Sequence, residues 1–107
     1  MIKIFISQPM NGKTNEEIES HRNHIISRLE SQFARENEQI QIIDSFFKDV
    51  PHDAKPLWYL GESIKLMSEA NVVFFCNSWQ TARGCQIEHD CALEYDIDTM
   101  YEEDLIY

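Results

Sequence analysis

The run Asn71-Val72-Val73-Phe74-Phe75-Cys76 constrains this chain most. Five consecutive apolar residues, β-branched or aromatic for the most part, are too few for a buried helix and too continuous for a strand with one wet face, so they read as a strand covered on both sides. A strand of that kind belongs to a parallel sheet with helices on each face, and the rest of the sequence is arranged accordingly. Ile2-Lys3-Ile4-Phe5-Ile6-Ser7 is a second such run, stopped at Gln8-Pro9-Met10-Asn11-Gly12, where Pro and Gly break regular structure. Thr14-Asn15-Glu16-Glu17 has the capping-box spacing of a helix start. Ile18, Arg22, Ile25, Ile26, Leu29 and Phe33 follow at helical spacing, which predicts a helix over about 15–35. Residues 39–43 read as a strand closing at Asp44-Ser45, and Phe46 to Lys55 as an irregular loop marked by Pro51. Leu57, Leu60, Ile64 and Met67 predict a helix over about 56–69 despite Gly61. A loop over 77–84, a helix over about 84–95, a strand over 97–101 and a short tail complete the chain.

The order is β-α-β-α-β-α-β. Alternation of this kind predicts an α/β three-layer sandwich, Rossmann- or flavodoxin-like, with right-handed crossovers and a parallel sheet of four or five strands. With 107 residues and no repeat, a single domain over 1–107 is expected. In such sheets ligands bind beyond the carboxyl ends of the strands, which gathers the loops 8–13, 44–55 and 77–84 at one edge.

Charge and composition narrow the partners. Nineteen acidic against nine basic residues give a formal charge of −10, which argues against binding DNA or RNA through phosphates. A small anionic ligand stays compatible, because a few backbone N–H groups and one Arg can hold a phosphate. No apolar run approaches the roughly 18 residues that span a bilayer, and the start of the chain runs into a strand rather than a signal peptide. A cytoplasmic protein with no membrane partner is expected. Cys76, Cys85 and Cys91 are odd in number and form no C-x-x-C, so free, mostly buried thiols are expected.

Among residues able to do chemistry, Glu88 stands out. It is four residues after Gly84 and four before Ala92, on or beside the inward stripe of the third helix, whereas Asp90 and Glu94 face outward. A carboxylate there, near a helix start at the ligand edge, fits a nucleophile or base whose ionisation is favoured by the helix dipole and opposed by burial. Spacing alone fits equally a carboxylate that merely answers the dipole. Gly84 would let a ligand approach the backbone, Arg83 could pair with a phosphate and Trp79 could cover a base or ribose; a helix-start glycine, a surface arginine and a packing tryptophan are the plain alternatives. Ser7, Gln8, Pro9, Met10, Asn11 and Gly12 form either a ligand loop or an ordinary turn, and Asp44 with Ser45 ends a strand at the same edge. His21 and His24 are three apart on the first helix, but no Cys, Asp or further His nearby completes a set and both are expected to face solvent. Cys76 reads as a core residue, and His89 points about 100° away from Glu88 around the helix. With no ligand set around His21 and His24 no metal is expected, and no cofactor is expected; neither a Walker-type phosphate loop nor a G-x-S-x-G elbow is present.

Three of these segments together resemble the nucleoside 2-deoxyribosyltransferase-like superfamily, and within it a small subgroup common in phages and bacteria. Residues Lys3 to Gly12 resemble its first strand and ligand loop, Ser68 to Phe75 its helix-to-strand segment, and Asn77 to His89 its signature of a Trp, a small residue with Arg-Gly, and Ile-Glu-His. The resemblance covers nearly the whole chain. It implies that Glu88 is the nucleophile that attacks the anomeric carbon of a nucleoside or nucleotide and displaces the base, and that water or a second base resolves the glycosyl-enzyme. It also implies a five-stranded or slightly reduced sandwich and a homodimer or larger homo-oligomer in which a neighbour completes the site. Ser7, Gln8, Asn11 and Gly12 would line the sugar or phosphate end, Asp44 and Ser63 would lie near the base, and Trp79, Arg83 and Gly84 would form a phosphate rim. Two departures stand out. Transferases carry an acid about eight positions before the Asp that opens the central strand; here Ser63 stands there beside Glu62, and the opening residue is Asn71. The acid that precedes their nucleophile has no match among Thr81, Ala82 and Arg83. Hydrolysis is therefore expected over transfer, with a binding module that sequesters a nucleotide signal as the rival. Phe46, Phe47, Trp58 and Tyr59 offer either a contact surface or cover for the core.

Overall fold

A computed structural model describes residues 1–45 and 50–105. Four strands, β1 (Ile2–Ser7), β2 (Ile40–Ile42), β3 (Val72–Phe75) and β4 (Asp98–Tyr101), form one sheet in the order β2-β1-β3-β4, all pairs parallel. Three helices connect them: α1 (Asn15–Arg35), α2 (Pro56–Met67) and α3 (Arg83–Glu94). The expected α/β class and four-stranded parallel sheet are what the chain adopts, with boundaries shifted by one to two residues. Two short 3-10 turns among the described residues, Trp79–Thr81 and Glu102–Asp104, lie within the expected loop over 77–84 and the expected tail.

The central strands carry their runs inward. Ile4, Phe5, Ile6 and the whole of β3 are buried, and alternate side chains go to opposite faces. Ile4, Ile6, Val72, Phe74 and Cys76 pack with Ile25, Leu29 and Phe33 of α1. Phe5, Val73 and Phe75 pack on the other face with Met67 at the end of α2 and Ala92 of α3. The chain travels one way from β1 to β2 and the other way from there to β3 and β4. Crossovers of one hand then place α1 on one face and α2 with α3 on the other, which is the layering seen.

Local signals fix the elements. Thr14 accepts at its side chain from Glu17 N (3.1 Å) while the Glu17 carboxylate accepts from Thr14 N (3.2 Å), the expected capping box. Pro56 opens α2, where a missing N–H costs nothing. Asn71 extends the β1–β3 ladder: its Oδ1 accepts from Lys3 N at 2.8 Å and its own N–H donates to Lys3 O at 2.8 Å. Trp58 meets Tyr59 edge-on with centroids 5.1 Å apart; Phe46 and Phe47 lie outside the described residues. No helix among the described residues is long and apolar enough to cross a membrane.

The order places a topological switch between β1 and β3, where the chain's direction across the sheet reverses. The crevice beyond the carboxyl ends of such strands is where ligands of open α/β sheets bind, and Ser7 and Cys76 stand there.

Candidate functional site around Glu88

Ser7 ends β1 with its side chain on the α2–α3 face and is 1% exposed. Its hydroxyl donates to Glu88 Oε1 at 2.7 Å, a buried bond between residues 81 apart in sequence. Glu88 is 7% exposed, in the second turn of α3 on the same face as Cys85 and Ala92. Ser63 of α2 hydrogen-bonds the same carboxyl group. The carboxylate is thus held from a strand end and from a neighbouring helix. Burial pushes the Glu88 pKa above the usual carboxylate range, and the hydroxyls of Ser7 and Ser63 oppose that rise. Cys85, one turn earlier, is pushed up to about 11, by burial first and also by the negative charge of Glu88, with its hydrogen bond to Ser7 acting against both. It is a neutral thiol at physiological pH.

A buried carboxyl group held by hydroxyl donors, with no cation paired to it among the described residues, is prepared for a step in which its charge is consumed. Attack on an electrophilic carbon converts it to a neutral ester and removes the desolvation penalty of the ion. The same group can also accept a proton, so burial alone leaves nucleophile and base as its two chemical options.

The other expected site residues divide into two sets. Ser7, Ser63 and Glu88 converge. Gly84 lies in the first turn of α3, and among the described residues a Cβ there would meet nothing within 4 Å beyond its chain neighbours and its own helix backbone, so packing against them does not require glycine. Arg83 is exposed at the start of the same helix. Pro9 is buried, whereas Met10, Asn11 and Gly12 are exposed in a turn closed by Lys13 N to Met10 O (3.2 Å), with Gly12 at φ +79. Asp44 is exposed beyond β2, and its charge acts on the Arg22 guanidinium, which donates to Ile43 O at 3.1 Å.

Gln8 turns to the opposite face. Its Nε2 donates to Ile18 O at 3.0 Å and lies 3.5 Å from His21 Nδ1, while its buried Oε1 has no hydrogen-bond partner among the described residues. Trp79 is stacked on His89 (centroids 4.1 Å, 27°) and leans on Phe75 (5.4 Å), so one ring face is already covered. His89 lies near Tyr101 Oη at 2.7 Å and meets Phe75 edge-on. It is a packing residue that anchors α3 to β4. Glu62, beside Ser63, pairs with Lys65 at 3.1 Å rather than with Glu88.

Two expectations about the histidines need correction. His21 does not simply face solvent: it is half-buried, and its Nε2 lies 3.2 Å from Glu102 Oε1, which also accepts from Asn77 N at 2.9 Å. Nor is it without potential co-ligands, since Cys76 and Glu102 approach it. Both come from the far end of the chain, and helical spacing around His21 carries no sign of them. His24 is exposed, as expected.

One open hollow on the described surface lies against α1 beside Glu16, Glu17, Ser20, His21 and His24, and another where β3 and β4 begin. Neither of these includes Glu88. The buried carboxylate at the switch point is the better marker of chemistry, because shallow hollows lined by exposed charge occur on any surface. Comparison of the chain with protein-family models, with curated proteins and with solved structures gives no match, so what Glu88 does has to be read from the chemistry of its own surroundings.

Proposed function

We propose that this chain is a nucleotide-binding enzyme that cleaves, or transfers, the N-glycosidic bond of a nucleoside or nucleotide, with Glu88 as the nucleophile. One observation carries the proposal: a carboxyl group 7% exposed, at the carboxyl edge of the two central strands, held at 2.7 Å by Ser7. The resemblance of three segments to nucleoside 2-deoxyribosyltransferase-like proteins agrees with it and supplies the substrate class. In the first step a Glu88 oxygen bonds to the anomeric carbon as the C–N bond breaks, and the base departs with the bonding pair and takes a proton from solvent. In the second, water attacks the anomeric carbon and loses a proton to solvent as the ester C–O bond breaks and Glu88 leaves as a carboxylate. Ser7 and Ser63 orient the carboxylate for both. Ser63 stands where transferases carry their acid, and Glu62 is occupied by Lys65, so slow hydrolysis is favoured over transfer to a second base. The expected ligand is a small nucleoside or nucleotide in the cytoplasm, bound by a homo-oligomer.

The missing acid also favours a second reading, a module that holds a nucleotide without cleaving it. Base release from a panel of nucleosides, nucleotides and dinucleotides, followed by chromatography for wild type and Glu88→Gln, separates the two. Release by wild type alone supports the enzyme. A ligand retained through gel filtration with no base released by either protein supports the module and sinks the enzyme.

A further inference from the structure

The geometry points to a binding site for a thiophilic divalent transition-metal ion, with Zn2+ the best fit, formed by His21, Cys76 and Glu102 on the α1 face of the sheet. The site lies on the face opposite Glu88 and is independent of what Glu88 does. One nitrogen of His21, the Cys76 sulfur and one oxygen of Glu102 all lie within 4.8 Å of one another. Ligands of a tetrahedral zinc ion, at bond lengths of about 2.0–2.3 Å, stand roughly 3.3–3.8 Å apart. Contraction by about 1 Å, within the reach of side-chain rotations, would close the set.

The three ligands come from α1, the residue after β3 and the turn after β4, so the ion would reinforce a junction that His21 with Glu102, and Asn77 N–H with Glu102, already make. Imidazole, thiolate and carboxylate form a mixed set suited to zinc. A thiolate and a carboxylate supply two negative charges, which balance a divalent ion in a largely buried place. Glu102 is already oriented by Asn77 N–H at Oε1, and His21 Nε2 lies 3.2 and 3.4 Å from its two oxygens.

Beside the set, Gln8 is 6% exposed, its Nε2 lies 3.5 Å from His21 Nδ1, and its buried Oε1 has no hydrogen-bond partner among the described residues. Binding replaces the S–H bond of Cys76 by a metal–sulfur bond and releases the proton to solvent. The sulfur ligand favours ions that bond well to thiolate over hard ions of the same charge, such as Mg2+, which prefer oxygen.

Titration with Co2+ as a spectroscopic substitute for Zn2+ tests the site. Wild type is expected to develop a thiolate-to-cobalt charge-transfer band that saturates at one equivalent. Zn2+ should displace it and Mg2+ should not, and Zn2+ should raise the melting temperature by about 5 °C or more. Cys76→Ser should lose the band although Cys85 and Cys91 remain. If that variant does not fold, His21→Ala, at a half-exposed position, should weaken cobalt binding by at least about 100-fold. Absence of the band in wild type, its persistence in folded Cys76→Ser, or unchanged affinity in His21→Ala would overturn the assignment.

Discussion

Replacing Ser7 by Ala removes one hydroxyl from a site where it is 1% exposed and donates at 2.7 Å to a buried carboxyl group. The consequence should depend on pH in a defined direction. Burial raises the folded-state pKa of Glu88, so the native protein holds its proton more tightly than the unfolded chain. The stability this contributes is fully present below the unfolded carboxylate value, about 4.3, and is lost as pH rises through the higher folded value. Ser7 limits that loss by donating to the ionised form. Without it the folded pKa rises further and the loss grows. At about pH 4, with Glu88 neutral, the substitution should cost roughly 0.5–1.5 kcal/mol, the worth of an ordinary hydrogen bond. At about pH 8–9 it should cost roughly 1.5–3 kcal/mol, because a buried charge then depends on Ser63 as its remaining hydroxyl donor. Since about 1 kcal/mol corresponds to roughly 4–8 °C for a domain of this size, thermal melts of both proteins across that range would resolve the difference. An equal cost at both ends would refute the reasoning, since Ser7 would then be acting on packing and not on the charge of Glu88.

Other substitutions probe the remaining links. Glu88→Gln should stabilise the fold by on the order of 1 kcal/mol above the folded pKa of Glu88 and converge on wild type in acid, where both side chains are neutral; denaturant melts at several pH values read this directly. Leu29→Ala, at a residue with no exposed surface between α1 and the sheet, should cost about 2–5 kcal/mol by urea unfolding, and a cost below about 1 would mean that α1 is not part of the core. Thr14→Ala removes the capping box and should cost about 1 kcal/mol, with faster amide exchange confined to the first turn of α1.

Much of the fold was legible because the relevant signals are local. Continuous runs at Ile2–Ser7 and Val72–Phe75 announced two-sided burial, and Thr14 with Glu17 announced the start of α1. The inward direction of Glu88 followed from its spacing to Gly84 and Ala92 within one helix. What surrounds it was less accessible. Ser7 meets Glu88, and His21 meets Glu102, across 81 residues of sequence. Such contacts are made by the strand order, which helical and strand periodicity do not encode. Ser63 entered only through family resemblance, because a serine on a half-buried helix face has no distinguishing pattern. The 3-10 turn at Trp79–Thr81 follows Ser78 in the left-handed region at φ 71. That conformation usually belongs to Gly or Asn, so a serine gave no warning of it. Trp79 had the composition of a ligand cover, but its stack on His89 depends on a β4 residue, Tyr101, that also holds the imidazole.

The central claim is that Glu88 forms a covalent bond to the anomeric carbon. The most direct measurement is intact-protein and peptide mass spectrometry after incubation with a 2-deoxy-2-fluoro nucleoside, whose fluorine slows hydrolysis of a glycosyl ester. A mass increase equal to the fluorosugar, located on Glu88 and absent from Glu88→Gln, is the predicted result. Base release with the adduct on another residue, or undiminished release by Glu88→Gln, would contradict it.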